Sequence, residues 1–233
     1  MKILLVSTQD YIHHPIPSRH HYIFEELARD HEIHVAHFHV SRGEAHPTRL
    51  IVEEATQFPF TSPLFHYTFN APYHFHIFNR IINEQGIDVV VAANVLAGTA
   101  VIHEAKKYHV PVVFDLKDWF PDSAAAYFKN RILQETVRKS VWEITRRNLS
   151  NSDKITTVSP SLVEKLKGFG FSSELITNGV NTDIFKPMEG SGKREELGIQ
   201  PDDFIIGFCG SIERRYAIDE MIKGGQELIR YQT

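Results

Sequence analysis

The chain has 233 residues, of which 42% are hydrophobic and 23% charged, with a formal net charge of −4. That length is enough for a sizeable core, and the acidic balance argues against nucleic acid as a partner. The single cysteine, Cys209, excludes an internal disulfide and makes a reducing, cytoplasmic compartment the default.

The opening "MKILLVSTQD" is too short an apolar run for a signal peptide. Its "KILLVS" (2–7) reads as the first strand. The stretch "SRHHYIFEELARD" (18–30) follows as a helix with Ser18 in the N-cap position. Arg19, His20 and His21 fall in its first turn, where the dipole disfavours cations, so the turn reads either as facing an anionic ligand or as a solvated helix end. "IHVAHFHV" (33–40) is the second strand. Segment 41–72 has four prolines, many aromatics and no clear period, so it reads as a functional loop or a set of short irregular elements. A helix is expected over 73–86, ending at Gly86. Then come strand 88–93, helix 97–109 before Pro111, strand 111–116, helix 131–150, strand 154–159, helix 159–170 and strand 174–178. Several strands are apolar on both faces, as parallel strands covered by helices must be. The longest apolar run (89–102) is broken by Asn94 and Gly98 and falls short of the roughly 18 residues of a membrane span.

After residue 178 the composition turns to Gly, Asn, Pro, Ser and charge, as in a linker. One fresh strand–helix pair follows, "DFIIGFCGS" and "AIDEMIKGGQELIRY". The expected fold is α/β, a doubly wound parallel sheet followed by only the first strand–helix unit of a second domain. The expected boundaries are 1–178, a hinge and linker over 179–202, and 203–233.

Four stretches in order, "VPVVFDLKDWFPDS" (110–123), "DKITTVSPSLVEKL" (153–166), "ITNGVNTDIFKP" (176–187) and "REELGIQPDDFIIGFCGSIERR" (194–215), resemble family 4 glycosyltransferases. The resemblance implies a retaining enzyme of the GT-B fold, with residues 1–178 as its Rossmann-like, acceptor-side N-terminal half. It also implies transfer of a sugar from a nucleotide-sugar donor to a hydroxyl on a glycan or lipid-linked acceptor, with no cofactor beyond that donor. The family's paired glutamates, which hold the donor, lie far into its C-terminal domain, so the chain is expected to be an inactive fragment.

The resemblance also assigns residues. Lys117 and Asp118 fall where many members carry His-Asp near the donor sugar, and are the candidate catalytic pair. A lysine there can bond a hydroxyl or balance phosphate, but shuttles protons less well near neutral pH. Thr8, Arg19 and Asn178 are expected to bind substrate at the carboxyl edge of the sheet. The turn "CGSIERRYAID" (209–219) resembles the phosphate-binding turn, with Gly210, Ser211, Arg214 and Arg215 facing the diphosphate. The loop after the first strand departs from the family by having no glycine before residue 43.

Fourteen histidines gather before residue 110. His37 and His39 share a strand face and could meet one ion, as could His74 and His76. The sequence shows no third or fourth ligand, so no metal is expected. Residues 129–154 carry seven basic and three acidic side chains, read as a solvated helix face, with peripheral contact at the inner membrane face as the other reading. The aromatic segment 58–78 is an acceptor groove, an interfacial patch or a cover for the sheet edge. The rival function is a non-catalytic module that binds an acceptor or partner, self-associating through the edge of strand 203–209.

Overall fold

The computed structural model describes residues 1–14, 16–188, 190–200, 202–210 and 217–231. Two compact units, Met1–Gly179 and Val180–Thr233, can be distinguished. The first is built on seven strands: β1 (Lys2–Val6), β2 (Glu32–His37), β3 (Ile51–Glu54), β4 (Val89–Ala92), β5 (Val112–Leu116), β6 (Lys154–Thr157) and β7 (Glu174–Leu175). They form one sheet in the order β3-β2-β1-β4-β5-β6-β7, parallel at every pairing. The strand order reverses between β1 and β4, and such a switch point opens a crevice at the strands' carboxyl ends.

Helices cover both faces. They are α1 (Arg19–Leu27), α2 (Pro63–Gln85), α3 (Val95–Lys107), α4 (Phe120–Ala125), α5 (Arg131–Ser150) and α6 (Pro160–Gly168). Alternation along β1 separates the two cores. Leu4 and Val6 join a large cluster with Phe78 of α2, Val101 of α3, Leu149 of α5 and Leu166 of α6. Ile3 and Leu5 pack with Phe24 of α1 and with Val35. Both faces of β1 are therefore dry, which explains the uninterrupted apolar run in the sequence.

Side-chain caps set several helix starts. Asn94 accepts from the amides of Leu96 and Ala97, so α3 begins two residues before the expected start. Asn130 caps α5 through Ile132 and Leu133, and Ser159 caps α6 through Leu162.

Three expectations are corrected. The 73–86 helix begins ten residues earlier, at Pro63, and carries Pro72 inside it. Asn70 stabilises this extension: its Nδ2 donates to the carbonyls of His66 and Phe58, and its Oδ1 accepts from the amides of Gln57 and Phe58. Segment 41–72 is not wholly irregular, because it contains β3, a mostly exposed strand at the edge of the sheet whose "IVEE" has no apolar alternation. Residues 203–209 form no strand. A strand needs a ladder, and none of the seven sheet strands lies beyond residue 175.

The second unit contributes α7 (Ser191–Glu196) and α8 (Ile218–Tyr231). Its extended stretch leaves Phe204, Ile205, Ile206 and Phe208 exposed. Among the described residues no helix is long and apolar enough to cross a membrane.

Candidate active site

The carboxyl ends of β1, β4, β5, β6 and β7 bring Thr8, Asn94, Lys117, Ser159 and Asn178 to one edge of the first unit. The organising group there is Asp115, near the end of β5. It is buried, and its carboxylate accepts from four donor groups. Arg19 donates Nε to Oδ2 at 3.3 Å and a terminal nitrogen to Oδ1 at 3.2 Å. His20 Nε2 lies 3.0 Å from Oδ2, and Thr156 Oγ1 donates to Oδ1 at 2.8 Å. Burial works to raise the Asp115 pKa, but the His20 and Thr156 bonds and the Arg19 charge outweigh it and hold it below the usual carboxylate value.

An ionised Asp115 can only accept, so His20 carries its proton on Nε2. Burial keeps His20 below its ordinary pKa despite the Asp115 bond. The neutral ring then presents Nδ1 as an acceptor, and Ser7 Oγ, 3.0 Å away, donates to it. Ser7, His20 and Asp115 thus form a hydrogen-bonded line resembling a nucleophilic triad. Ser7 and His20 are each only 1% exposed, however, so no substrate atom reaches the hydroxyl, and the line is a brace.

Arg19 belongs to the same brace. Besides gripping Asp115, it donates to the carbonyl of Ile176 at 2.7 Å and to that of Thr177 at 3.4 Å. Its guanidinium is committed to the protein rather than free for an anion, contrary to the expectation for the first turn of α1. Its role is to fix the chain leading into Asn178, whose own side chain is exposed.

Lys117 is different. It is half-buried, and no hydrogen bond or ion pair engages its Nζ among the described residues. Burial lowers its pKa from the ordinary lysine value, opposed by the Asp115 and Asp118 charges. Asp118 is exposed, and its carbonyl accepts from the Phe120 amide. The loop beyond is pinned by Trp119, which stacks on Phe169 at 5.6 Å and lies under Lys165 Nζ at 4.1 Å. Thr8 is half-buried beside the switch point. Gly210 lies in the second unit, and Ser211, Arg214 and Arg215 lie outside the described residues.

Two further groups sit near this edge. In α2, the inner face buries His66, Tyr67 and His74 around Phe38, while Phe65 and Phe69 face outward and exposed. Burial, then the neighbouring His66 charge, lower the His74 pKa to about 4. The segment 58–78 therefore covers the sheet on one face and leaves an aromatic patch on the other. After β1, buried Asp10 gathers the amides of Ile12, His13, Val40 and Ser41, with His13 and His37 beside it. On α5, Arg138 pairs with Asp122 and Glu135, and Arg146 and Arg147 pair with Glu143. That is the pattern of a solvated helix face.

Sequence reasoning missed Asp115 because "VVFDL" reads as a core strand. The available signal was a charged residue inside an otherwise apolar run. Asp10 and His13 were also missed, since they lie in a loop remote in sequence from His37.

Comparison with known proteins agrees with this architecture. The model of Glycosyltransferase Family 4 matches residues 20–184. Sucrose-phosphate synthase from Thermosynechococcus elongatus is similar in structure, with a TM-score of 0.70 and 16% identity, covering 92% of this chain and 56% of that one. Anabaena HepE, solved in complex with UDP and glucose, superposes with a TM-score of 0.53 and 16% identity over 85% of this chain and 50% of that one. The chain thus spans about half the length of these two structures. No curated protein matches. With a family model covering well over half of its residues and a Rossmann-like sheet of the GT-B type, the chain belongs to Glycosyltransferase Family 4.

Proposed function

We propose that the first unit is the acceptor-side half of a retaining glycosyltransferase that moves a sugar from a nucleotide-sugar to a hydroxyl of a glycan or lipid-linked acceptor. The observation that carries this reading is Lys117. A half-buried ammonium without a partner among the described residues, at the carboxyl end of a central strand, has donors to spare for a sugar hydroxyl or a phosphate oxygen. Its neighbour Asp115 is already satisfied and holds the edge rigid, which is how a positioned site is supported.

Ser7, the hydroxyl lined up with His20 and Asp115, is buried and is not proposed as a nucleophile. The proposed course is therefore front-face displacement, in which basic groups and backbone amides stabilise the departing diphosphate. Thr8 and Asn178 line the acceptor side, and Asp118 sits at its rim. Gly210, Ser211, Arg214 and Arg215 are proposed to face the diphosphate. No cofactor other than the donor is invoked, and the protein is placed in the cytoplasm. Because the chain spans about half of the proteins it resembles in fold, we expect it to bind acceptor without turnover when assayed alone.

The test is twofold. The chain is first incubated with a panel of nucleotide-sugars and acceptors, and nucleoside diphosphate release is measured. Release above the blank would refute the expectation of no turnover. An amide-resolved titration with the same acceptors then locates binding, which is expected at residues 7–9, 117–119 and 177–179. The second reading, a non-catalytic partner-binding module, draws on the exposed Phe204, Ile205, Ile206 and Phe208. It is favoured if the acceptors leave the strand ends undisturbed while the chain dimerises in sedimentation.

A further inference from the structure

The loop after β1 and the end of β2 place three ligand-type atoms around one point. His13 Nδ1 lies 3.1 Å from His37 Nε2. Asp10 Oδ1 lies 3.6 Å from the first and 3.4 Å from the second. These separations suit a first-row metal. With metal–ligand bonds of about 2.0–2.2 Å, tetrahedral geometry sets ligand atoms roughly 3.3–3.5 Å apart. The circle through the three atoms has a radius of about 2.0 Å, so one ion slightly out of their plane reaches all three at bonding distance.

The surroundings are built for the same purpose. His37 Nδ1 lies 2.9 Å from Glu54 Oε2. A carboxylate accepting from that nitrogen aims Nε2 at Asp10 and His13, and an ion arriving there displaces the proton that Nε2 carries toward Asp10. Carboxylate–histidine–metal relays have this form. Asp10 is fixed by the four amides already described, with its side chain fully buried. His13 remains one-fifth exposed, which gives an ion a way in. Exposed His39 stacks on His13 at 5.0 Å and on His37 at 5.5 Å, beside the open fourth position.

We propose that Asp10, His13 and His37 bind one divalent first-row transition metal of the zinc class, with a fourth position open to water or His39. Two imidazoles and one carboxylate favour zinc, cobalt, nickel or copper over magnesium and calcium. The ion would tie the loop after β1 to β2, and so brace the segment that carries Thr8. This site stands independently of the glycosyltransferase reading, because it uses none of the residues assigned to sugar transfer.

The experiment titrates the metal-stripped chain with zinc in competition with a chromophoric chelator, and records the visible spectrum of the cobalt-substituted form. One equivalent is expected to bind with a Kd tighter than about 10 μM, unaffected by millimolar magnesium, with intense tetrahedral cobalt bands. His13→Ala removes one ligand from a partly exposed position, and its fold is checked by circular dichroism. It should weaken binding more than tenfold and abolish the cobalt bands. Glu54→Gln touches only the positioning residue and should weaken binding by roughly 10–100-fold. Zinc binding weaker than the stated limit, or a His13→Ala affinity within tenfold of the parent, overturns the site. Equal affinity in Glu54→Gln overturns the orienting role of Glu54.

Discussion

Two buried aspartates stand at carboxyl ends of the same sheet, and each gathers histidine. Asp115 is closed: Arg19, His20 and Thr156 fill its oxygens, and the cation it needs comes from the chain itself. Asp10 is open: its oxygens are held by backbone amides, and the cation beside it is the His37 imidazolium, whose pKa burial works to lower but the Asp10 and Glu54 carboxylates raise to about 9. The difference lies in how fixed that cation is: arginine keeps its proton, whereas an imidazole can give its proton up to a metal. A carboxylate satisfied by arginine is a structural joint, whereas one surrounded by imidazole is a place for something to arrive. The same distinction separates Arg19 from Lys117. Arg19 is spent on Asp115 and the carbonyls of Ile176 and Thr177, while the Lys117 ammonium, two residues beyond Asp115, meets no hydrogen bond or ion pair among the described residues.

The strongest way to break this comparison is Asp115→Asn. It leaves Arg19 and His20 buried beside a neutral amide, and removing one member of a buried pair costs about 3–5 kcal/mol. Urea unfolding should show a loss of that order, and a loss below about 1 kcal/mol would mean that the joint is not structural.

His74 sharpens the comparison from the other side, because it is buried with no carboxylate partner among the described residues. Its pKa falls to about 4 in the folded chain, against about 6.5 unfolded. The unfolded state therefore takes up the proton first. The contribution of His74 is intact above about pH 6.5 and is lost as pH falls from there through 4, by roughly 3 kcal/mol in all. Denaturation midpoints from pH 7 to pH 4 should decline less steeply in His74→Leu than in the parent.

Lys117→Met should behave in the opposite way to Asp115→Asn. Removing an unpaired, partly desolvated ammonium should leave unfolding free energy unchanged or slightly raised. Acceptor affinity should fall by about 10–150-fold, the worth of a charge-assisted hydrogen bond of about 1.5–3 kcal/mol. The smallest effect is expected at Asn94, whose side chain caps α3 at the switch point. Asn94→Ala should cost about 1 kcal/mol in thermal or urea unfolding.

Much of this architecture was legible because parallel strands buried on both faces cannot hide their composition. Runs such as "KILLV" and "VVVA" locate β1 and β4, and Gly86 and Pro111 mark helix ends. The misses have physical causes. An edge strand such as β3 need not be apolar, so "IVEE" looked like loop. The expected helix over 73–86 stops short of Pro72, but Asn70 holds the preceding turns of α2 in place. Residues 203–209 have strand composition, but composition does not supply a neighbour to pair with. At the site, Lys117 is singled out by the family resemblance, since it falls where many members carry His-Asp. Its meaning rests on Asp115 being already occupied, and that depends on Arg19 and His20, which are nearly a hundred residues away.

The central claim is that Lys117 is the cation kept for substrate and Arg19 the one kept for the fold. The most direct measurement is an amide-resolved titration of the chain with glycan and lipid-linked acceptors, run in parallel on Lys117→Met. Saturable shifts confined to residues 7–9, 117–119 and 177–179, weakened at least tenfold in the variant while its unfolding curve is unmoved, are the predicted result. Equal affinity in the two proteins, or shifts centred away from these strand ends, would contradict it.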